Sequence, residues 1–164
     1  MPNEIERKYL VNGDAWRGQI VETLSIRQGY LISDTVRTVR VRATGERGYL
    51  TIKAKPTPGT GPISRAEFEY AIPRADADAL LDTLCALPLI EKLRHLVPHA
   101  GLTWEVDEFA GANAGLIVAE IELASADQIV ALPDWIGREV SADPRYFNSA
   151  LAKRPYAQWQ NDMR

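Results

Sequence analysis

The sequence predicts a mainly β domain of the α+β class, and three observations carry that prediction. Apolar and polar residues alternate with period two over most of the chain, which is the signature of strands. Gly and Pro punctuate this alternation at turns, with Gly45 and Gly48 flanking one hairpin and Gly111-Ala112-Asn113-Ala114-Gly115 joining another. Finally, strand after strand places two charges of the same sign on one face.

In chain order the strands are Glu4–Val11, Val36–Ala43, Tyr49–Lys55, Arg65–Ile72, Ile90–Val97, Thr103–Phe109 and Gly115–Leu123, with a short one near Arg138–Ser141. Pro56-Thr57-Pro58-Gly59-Thr60-Gly61-Pro62 is a breaker-rich loop. Helices interrupt the strands. Asp76–Leu87 carries Ala77, Leu80, Leu81, Leu84 and Leu87 at helical spacing, and Pro88 stops it. Ser125-Ala126-Asp127-Gln128 resembles a capping box opening a short helix up to Leu132. Asp143-Pro144 provides an N-cap and an N1 proline for a helix over Arg145–Ala152. Asp14–Leu24 is read as one or two short helices. The tail after Pro155 is polar with Trp159 embedded, and either docks or frays. Nothing divides the chain, so one domain over 1–164 is expected.

The charged faces are unusual. Glu4, Glu6 and Lys8 share one face of the first strand, opposite Ile5, Tyr9 and Val11. Arg40 with Arg42, Lys53 with Lys55, Glu67 with Glu69, Lys92 with Arg94, Glu105 with Asp107 and Glu120 with Glu122 repeat the arrangement. Such neighbours stand ~7 Å apart. At an effective dielectric of about 20 their repulsion costs roughly 2–3 kcal/mol per pair, and far less in water. A solvated face explains any one pair. Seven in succession fit a second arrangement better, in which the charged faces converge on a lumen and the apolar faces look outward beneath helices or a partner subunit. Clustered carboxylates with one Cys and two His in the chain favour hard cations such as Mg²⁺ or Mn²⁺. Clustered Arg and Lys favour a polyanion. A metal-complexed polyphosphate satisfies both.

The whole-chain properties restrict the partners. The 164 residues carry a net charge of −3, so no global basic field draws nucleic acid. Cys85 is the single cysteine, the N-terminus has no signal-peptide pattern, and no apolar run approaches the ~20 residues of a membrane span. A cytoplasmic protein without membrane or nucleic-acid partners is expected. The outward apolar faces suit either a homodimer or covering helices.

Glu4-Ile5-Glu6-Arg7-Lys8 resembles the Glu-x-Glu-x-Lys signature of the CYTH superfamily, the triphosphate tunnel metalloenzymes. Val39-Arg40-Val41-Arg42, Thr51-Ile52-Lys53, Glu67-Phe68-Glu69, Lys92-Leu93-Arg94, Trp104-Glu105-Val106-Asp107 and Glu120-Ile121-Glu122-Leu123 follow in the family's order. Gly137 through Ser141, Tyr146 and Asn148 resembles its C-terminal segment, with Ser141 where threonine is commoner. The resemblance implies a closed antiparallel barrel of about eight strands with helices packed outside. It also implies chemistry on a triphosphate, and within the superfamily the chain is most similar to the inorganic tripolyphosphatases. On that footing Lys8, Arg40, Arg42, Lys53, Lys92 and Arg94 hold phosphate oxygens. Glu4, Glu6, Asp107, Glu120 and Glu122 hold one or two Mg²⁺ or Mn²⁺ ions, with Glu67, Glu69 and Glu105 as a second tier. Lys8 and Tyr30 are the catalytic candidates, because tripolyphosphatases of this type pair a lysine with a tyrosine. Class IV adenylate cyclase, thiamine triphosphatase and a non-catalytic polyphosphate-binding module are the competing readings.

Several features are set aside. Gly59-Thr60-Gly61 lacks the Lys-Ser/Thr ending of a phosphate loop. His95 points opposite Lys92 and Arg94, Cys85 lies on an amphipathic segment, and the Trp residues read as core or docking anchors.

Overall fold

The alternating strands close into a ring. The computed structural model describes residues 2–56, 59 and 61–161, without the side chains of 160 and 161. Its strands are β1 (Asn3–Val11), β2 (Glu22–Ser33), β3 (Arg37–Thr44), β4 (Arg47–Ala54), β5 (Ile63–Ile72), β6 (Ile90–His99), β7 (Leu102–Phe109), β8 (Ile117–Glu122) and β9 (Ile136–Glu139). The order is β5-β4-β3-β2-β6-β7-β8-β1, and a further β5–β1 pairing closes eight antiparallel strands into a barrel. Closure removes the unpaired sheet edges. The first part of β1 pairs with β5, while Tyr9 and Val11 pair with β9. Strands expected from the alternation lie within two residues of their observed bounds.

β2 is the strand that the sequence reading missed. Asp14–Leu24 holds only a 3-10 turn over Ala15–Gln19, and from Glu22 the chain is already extended. The reason is physical: β2 has no like-charged pair on its inner face, which carries Ile26, Gln28 and Tyr30, and its outer face includes Thr23, Ser25 and Arg27. Its alternation therefore lacks the pattern that marked its neighbours.

Two helices also differ from expectation. α1 (Arg74–Thr83) starts earlier and ends four residues short of Leu87. Ala77 and Leu81 are buried against Val41 and Ala43 of β3, whereas Leu84 is 65 % and Leu87 79 % exposed. The chain leaves the helix because Pro88 disfavours helical geometry before it and the Ala86 N–H donates to the Tyr30 carbonyl of β2. Residues 125–132 form turns, not a helix. Gln128 Oε1 does accept from a backbone N–H, that of Ala124, but Ser125 donates to Asp127. With Ile129 94 % exposed, a helix there has no apolar face to bury. Asp143 caps the 3-10 turn Pro144–Tyr146 as expected, but extended Phe147 separates it from α2 (Asn148–Lys153). The tail docks: α3 (Tyr156–Asn161) buries Trp159 against Tyr146 and Tyr156. Thr57, Pro58 and Thr60 of the β4–β5 loop lie outside the described residues, and so does a full test of Gly59-Thr60-Gly61. Among the described residues no helix is long and apolar enough to cross a membrane.

The hydrophobic core consequently lies largely outside the ring. Tyr9, Val97, Trp104, Val106 and Ile121 form one cluster beneath Trp16 and Trp135, and α1 covers a second on β3 and β4. A third cluster enters the barrel. Leu10, Ile90, Phe109 and Val118 are each two residues along from Lys8, Lys92, Asp107 and Glu120, on the same strand faces. Tyr146, Leu151 and Trp159 pack onto them, so the C-terminal segment fills one end of the lumen with apolar matter. Across β2–β5 the outward row Ile32, Val39, Ile52 and Phe68 stays partly or fully accessible.

α1 lies so close to β4 that a Cβ built on Gly48 meets Ala77 Cβ at 2.8 Å and the Ile72 carbonyl at 3.1 Å. Gly48→Ala should therefore lower unfolding stability by about 1–3 kcal/mol in urea titrations. An unchanged midpoint would mean that α1 rides freely over the sheet.

Candidate functional site

The charged faces converge. A cavity of about 160 Å³ lies inside the barrel. Its wall includes Glu4, Glu6 and Lys8 of β1, Tyr30 of β2, Arg40 and Arg42 of β3, Lys53 of β4, Glu67 and Glu69 of β5, Arg94 of β6, Glu105 of β7, and Glu120 and Glu122 of β8. All but two of the residues given a phosphate, metal or catalytic role from the sequence stand on this wall.

Those two are Lys92 and Asp107, which form a dry layer behind it. Lys92 Nζ donates to Asp107 Oδ2 at 2.7 Å, and neither side chain is exposed. Arg94 donates from Nε to Oδ1 at 2.8 Å and from Nη2 to Oδ2 at 2.9 Å. Both oxygens of Asp107 are thus taken by cations. Asp107 thereby holds Arg94 in a bidentate fork and pairs with Lys92 as well. Burial, opposed by Asp107 but reinforced by Arg94 and Arg42, pushes Lys92 down to about 7.

Several strands present acids or bases alone, while β1 adds Lys8 to its acids and β5 adds Arg65. Glu6 lies directly opposite Glu122 across β1–β8, and Glu105 opposite Glu120 across β7–β8. Like charges directly opposite destabilise a sheet. Burial, with Glu120 and Glu4 nearby, pushes Glu6 up to about 8. Burial, Glu4 and Glu120 likewise raise Glu122. Two carboxylates are relieved by cations instead. Burial works to raise Glu4, but Lys53 at 3.0 Å and other neighbours outweigh it and hold Glu4 at about 2. Burial is likewise outweighed at Glu120 by Lys8, 3.2 Å away, and by Arg94, so that its carboxyl lies well below the usual range. Lys8 is raised in turn: Glu120 and Glu6 overcome its burial and keep it charged. On the cationic side burial, Arg40 and Arg94 push Arg42 down to about 9.

Other wall residues carried no charge-pair signal. Thr38, Arg65, Phe147, Asn148 and Ser149 also line the cavity. Arg65 was legible by parity, since it shares a strand face with Glu67 and Glu69. Phe147, Asn148 and Ser149 arrive from the C-terminal segment, where no strand periodicity marks an inner face. Fully buried Gln28 is a connector: its Oε1 accepts from Arg42 Nε at 2.9 Å, and its Nε2 donates to Asn148 Oδ1 at 3.1 Å. Asn148 Oδ1 also accepts from Lys92 Nζ at 3.0 Å. One amide pair thereby aims two cations.

The donor set fits a hard divalent ion in chemistry. Glu4, Glu6, Glu105, Glu120 and Glu122 offer oxygen alone; Glu105 and Glu120 share Arg94 at 2.7 and 3.6 Å, whereas the like-charged pair Glu6 and Glu122 gains from positive charge between them. Among the described residues no three such groups are already gathered as a metal cluster. Lysines and arginines occupy the carboxylates instead. Outside the barrel, His95 lies between Thr23 (2.8 Å) and Glu108 (3.3 Å) and stacks near Trp16, a packing role consistent with its outward direction. Cys85 is buried.

Stability should separate the two kinds of acid. Asp107→Asn strands Lys92 and Arg94 in a dry site and should cost about 3–5 kcal/mol. Glu122→Gln removes a repelled charge and, in chelator, should leave stability unchanged or higher. Equal losses in urea melts would show that Glu122 is paired as firmly as Asp107.

Comparison with known proteins agrees with this geometry. The CYTH domain family matches residues 2–156. An inorganic triphosphatase of Acetivibrio thermocellus is 50 % identical over 156 residues, spanning 95 % of this chain and 97 % of that protein. An inorganic triphosphatase of Nitrosomonas europaea is 34 % identical over 154 residues, spanning 91 % and 96 %. The crystal structure of an inorganic triphosphatase superposes with a TM-score of 0.65 at 32 % identity, covering 93 % of this chain and 95 % of that one. With its closed barrel, its ordered charge pairs and this coverage, the chain belongs to the CYTH domain family.

Proposed function

We propose that this chain is a divalent-metal-dependent hydrolase that cleaves inorganic tripolyphosphate to pyrophosphate and phosphate within the barrel. The observation that carries the reading is a single enclosed cavity in which β1, β7 and β8 present carboxylates and β3, β4 and β6 present Arg and Lys. Two relatives named inorganic triphosphatase, aligned over nearly their full length, support it.

Arg40, Arg42, Lys53 and Arg94 grip the phosphate oxygens. Arg94 is preset by Asp107 and Arg42 by Gln28, so little reorganisation is needed on binding. Lys8, kept charged by Glu120 and Glu6, is a donor to the leaving pyrophosphate oxygen and not a base. Tyr30 offers a hydroxyl on the same wall. One or two Mg²⁺ or Mn²⁺ ions, held by Glu4, Glu6, Glu120 and Glu122, would neutralise phosphate charge and acidify the attacking water. Glu105, Glu67 and Glu69 complete the acidic lining, and the last two also lie beside cations: Glu67 is 3.1 Å from Lys53, and Glu69 is 3.6 Å from Arg40. Asp107 contributes by orienting Arg94 and Lys92.

The lining favours an inorganic substrate over a nucleotide or thiamine ester. Tyr30 and Phe147 are the aromatic members of the described wall, and Lys8 and Arg65 lie against the Phe147 ring at 5.5 and 5.8 Å. The Phe147 ring is thus already engaged by cations, which disfavours stacking of a base upon it. We place the enzyme in the cytoplasm, given its single free cysteine. A homodimer through the exposed Ile32–Ile52 row remains part of the reading.

Glu4→Gln combined with Glu6→Gln should abolish Mg²⁺-dependent phosphate release from tripolyphosphate while the barrel stays folded by circular dichroism. Undiminished release would remove β1 from the metal site. With tripolyphosphate, ATP and thiamine triphosphate tested side by side, phosphate should come mainly from the first, and cyclic AMP formation from ATP would overturn the assignment. The raised Glu6 sets a pH dependence. Below pH 8 it is protonated in the free chain, so metal uptake must release its proton. Apparent Mn²⁺ affinity should fall about tenfold per pH unit below 8 and level off above it. Calorimetric titrations giving one affinity across that range would exclude Glu6 as a ligand.

A further inference from the structure

We propose that Arg65 is a further anion-binding residue, a guanidinium fork on β5 that takes oxygens of the phosphoryl chain. The inference rests on reading the lumen as a polyphosphate site and adds a contact to it.

Arg65 lines the cavity, and its side chain is only 10 % exposed. Three of the enclosed cations are firmly held. Arg94 makes hydrogen bonds of 2.8 and 2.9 Å to Asp107, Lys92 one of 2.7 Å to the same carboxylate, and Lys53 one of 3.0 Å to Glu4. Arg65 differs. Its Nε is 3.7 Å from Glu4 Oε1 and its Nη2 4.0 Å from Glu6 Oε1, both beyond hydrogen-bond range. Its Nε is buried and makes no hydrogen bond among the described residues. Buried donors of this kind are rare and call for an explanation.

A counter-ion role for Glu4 and Glu6 does not supply one. Lys53 already holds Glu4 at hydrogen-bond distance, and a guanidinium placed to neutralise a carboxylate closes to about 2.7–2.9 Å. The guanidinium carbon instead lies over the Phe147 ring, 5.8 Å from its centroid. A cation–π contact consumes no N–H donor, and the planar N–H donors are the ones that match phosphate oxygens. Arg40, already assigned to the phosphates, shows the same sign: its Nε is also buried without a hydrogen bond. Both guanidinium groups line the one cavity.

The test separates anion binding from metal binding and from turnover. Imidotriphosphate, in which nitrogen replaces the bridging oxygens, is titrated calorimetrically with Mg²⁺ into the wild type, Arg65→Met and Arg65→Lys. Mn²⁺ affinity is measured separately without the anion. Arg65→Met should weaken imidotriphosphate by about ten- to a hundredfold, the loss of a charge-assisted contact. Mn²⁺ affinity should hold or rise, because a positive neighbour of Glu4 and Glu6 has gone. Arg65→Lys retains the charge without the fork and should fall between. It is also the variant to read if thermal melts show Arg65→Met unfolded. Unchanged anion affinity in the folded variants, or a loss matched by an equal loss of Mn²⁺ affinity, would overturn the proposal. A wild type that does not bind imidotriphosphate at all would overturn the polyphosphate reading itself.

Discussion

Charge enclosed in a closed sheet must be neutralised locally, because the surrounding strands shut out the water that would otherwise screen it. That constraint governs the rest of this molecule. Alternation along a strand sends every other side chain inward, so filling the lumen with Glu, Lys and Arg forces the apolar half of each strand outward. The hydrophobic core then has to be assembled on the outside, from Trp16, Trp135, α1 and the segments between strands. Where the lumen needs an end, the strands switch to apolar residues on the inner face, and the C-terminal segment packs against Leu10, Ile90, Phe109 and Val118.

Within the barrel, neutralisation is deliberately incomplete. Asp107 pairs with Lys92 and Arg94 in a dry layer, and Glu105 at 2.7 Å and Glu120 at 3.6 Å also lie beside Arg94. Their role is geometric: a guanidinium pinned on two carboxylate oxygens presents its remaining donor edge in a fixed direction. The carboxylates of β1 and β8 are the opposite case. Among the described residues Glu6 faces Glu122 without a cation at hydrogen-bond distance from either, and burial has lifted both. Such an arrangement is unfavourable in isolation. It becomes reasonable as a receptor, where stability is exchanged for a site that a divalent ion and its phosphate ligand complete.

Much of this was legible in the sequence, for one reason. Like-charged pairs at i and i+2 identify a strand and its inner face together, so β1, β3–β8 and most of the wall could be named from spacing. The same reasoning failed where the signal was absent. β2 brings Tyr30 and Gln28 into the lumen without a charge pair, and its start was taken for a helix. Asp107 and Lys92 have the right parity, but parity gives the face and not the depth. Their neighbours Phe109 and Ile90 belong to the apolar end, which puts the pair behind the wall. Helical readings at Leu84–Leu87 and Ser125–Leu132 failed because apolar spacing predicts a helix only when something covers it. Phe147, Asn148 and Ser149 reach the site by tertiary docking, which no local pattern records.

The position of β1 has a consequence for how the molecule comes into being. β1 is the first strand of the chain, yet it pairs with β5, β8 and β9, so Lys8 waits for Glu120 and Glu6 for Glu122. Loop-closure entropy makes such distant pairings slow to form. Closing the ring and bringing the two carboxylate strands together are therefore one event. A growing chain carries no fragment of a working site before β8 has been made. β1, acidic on one side and apolar on the other, stays without its proper partner until β8 has been made.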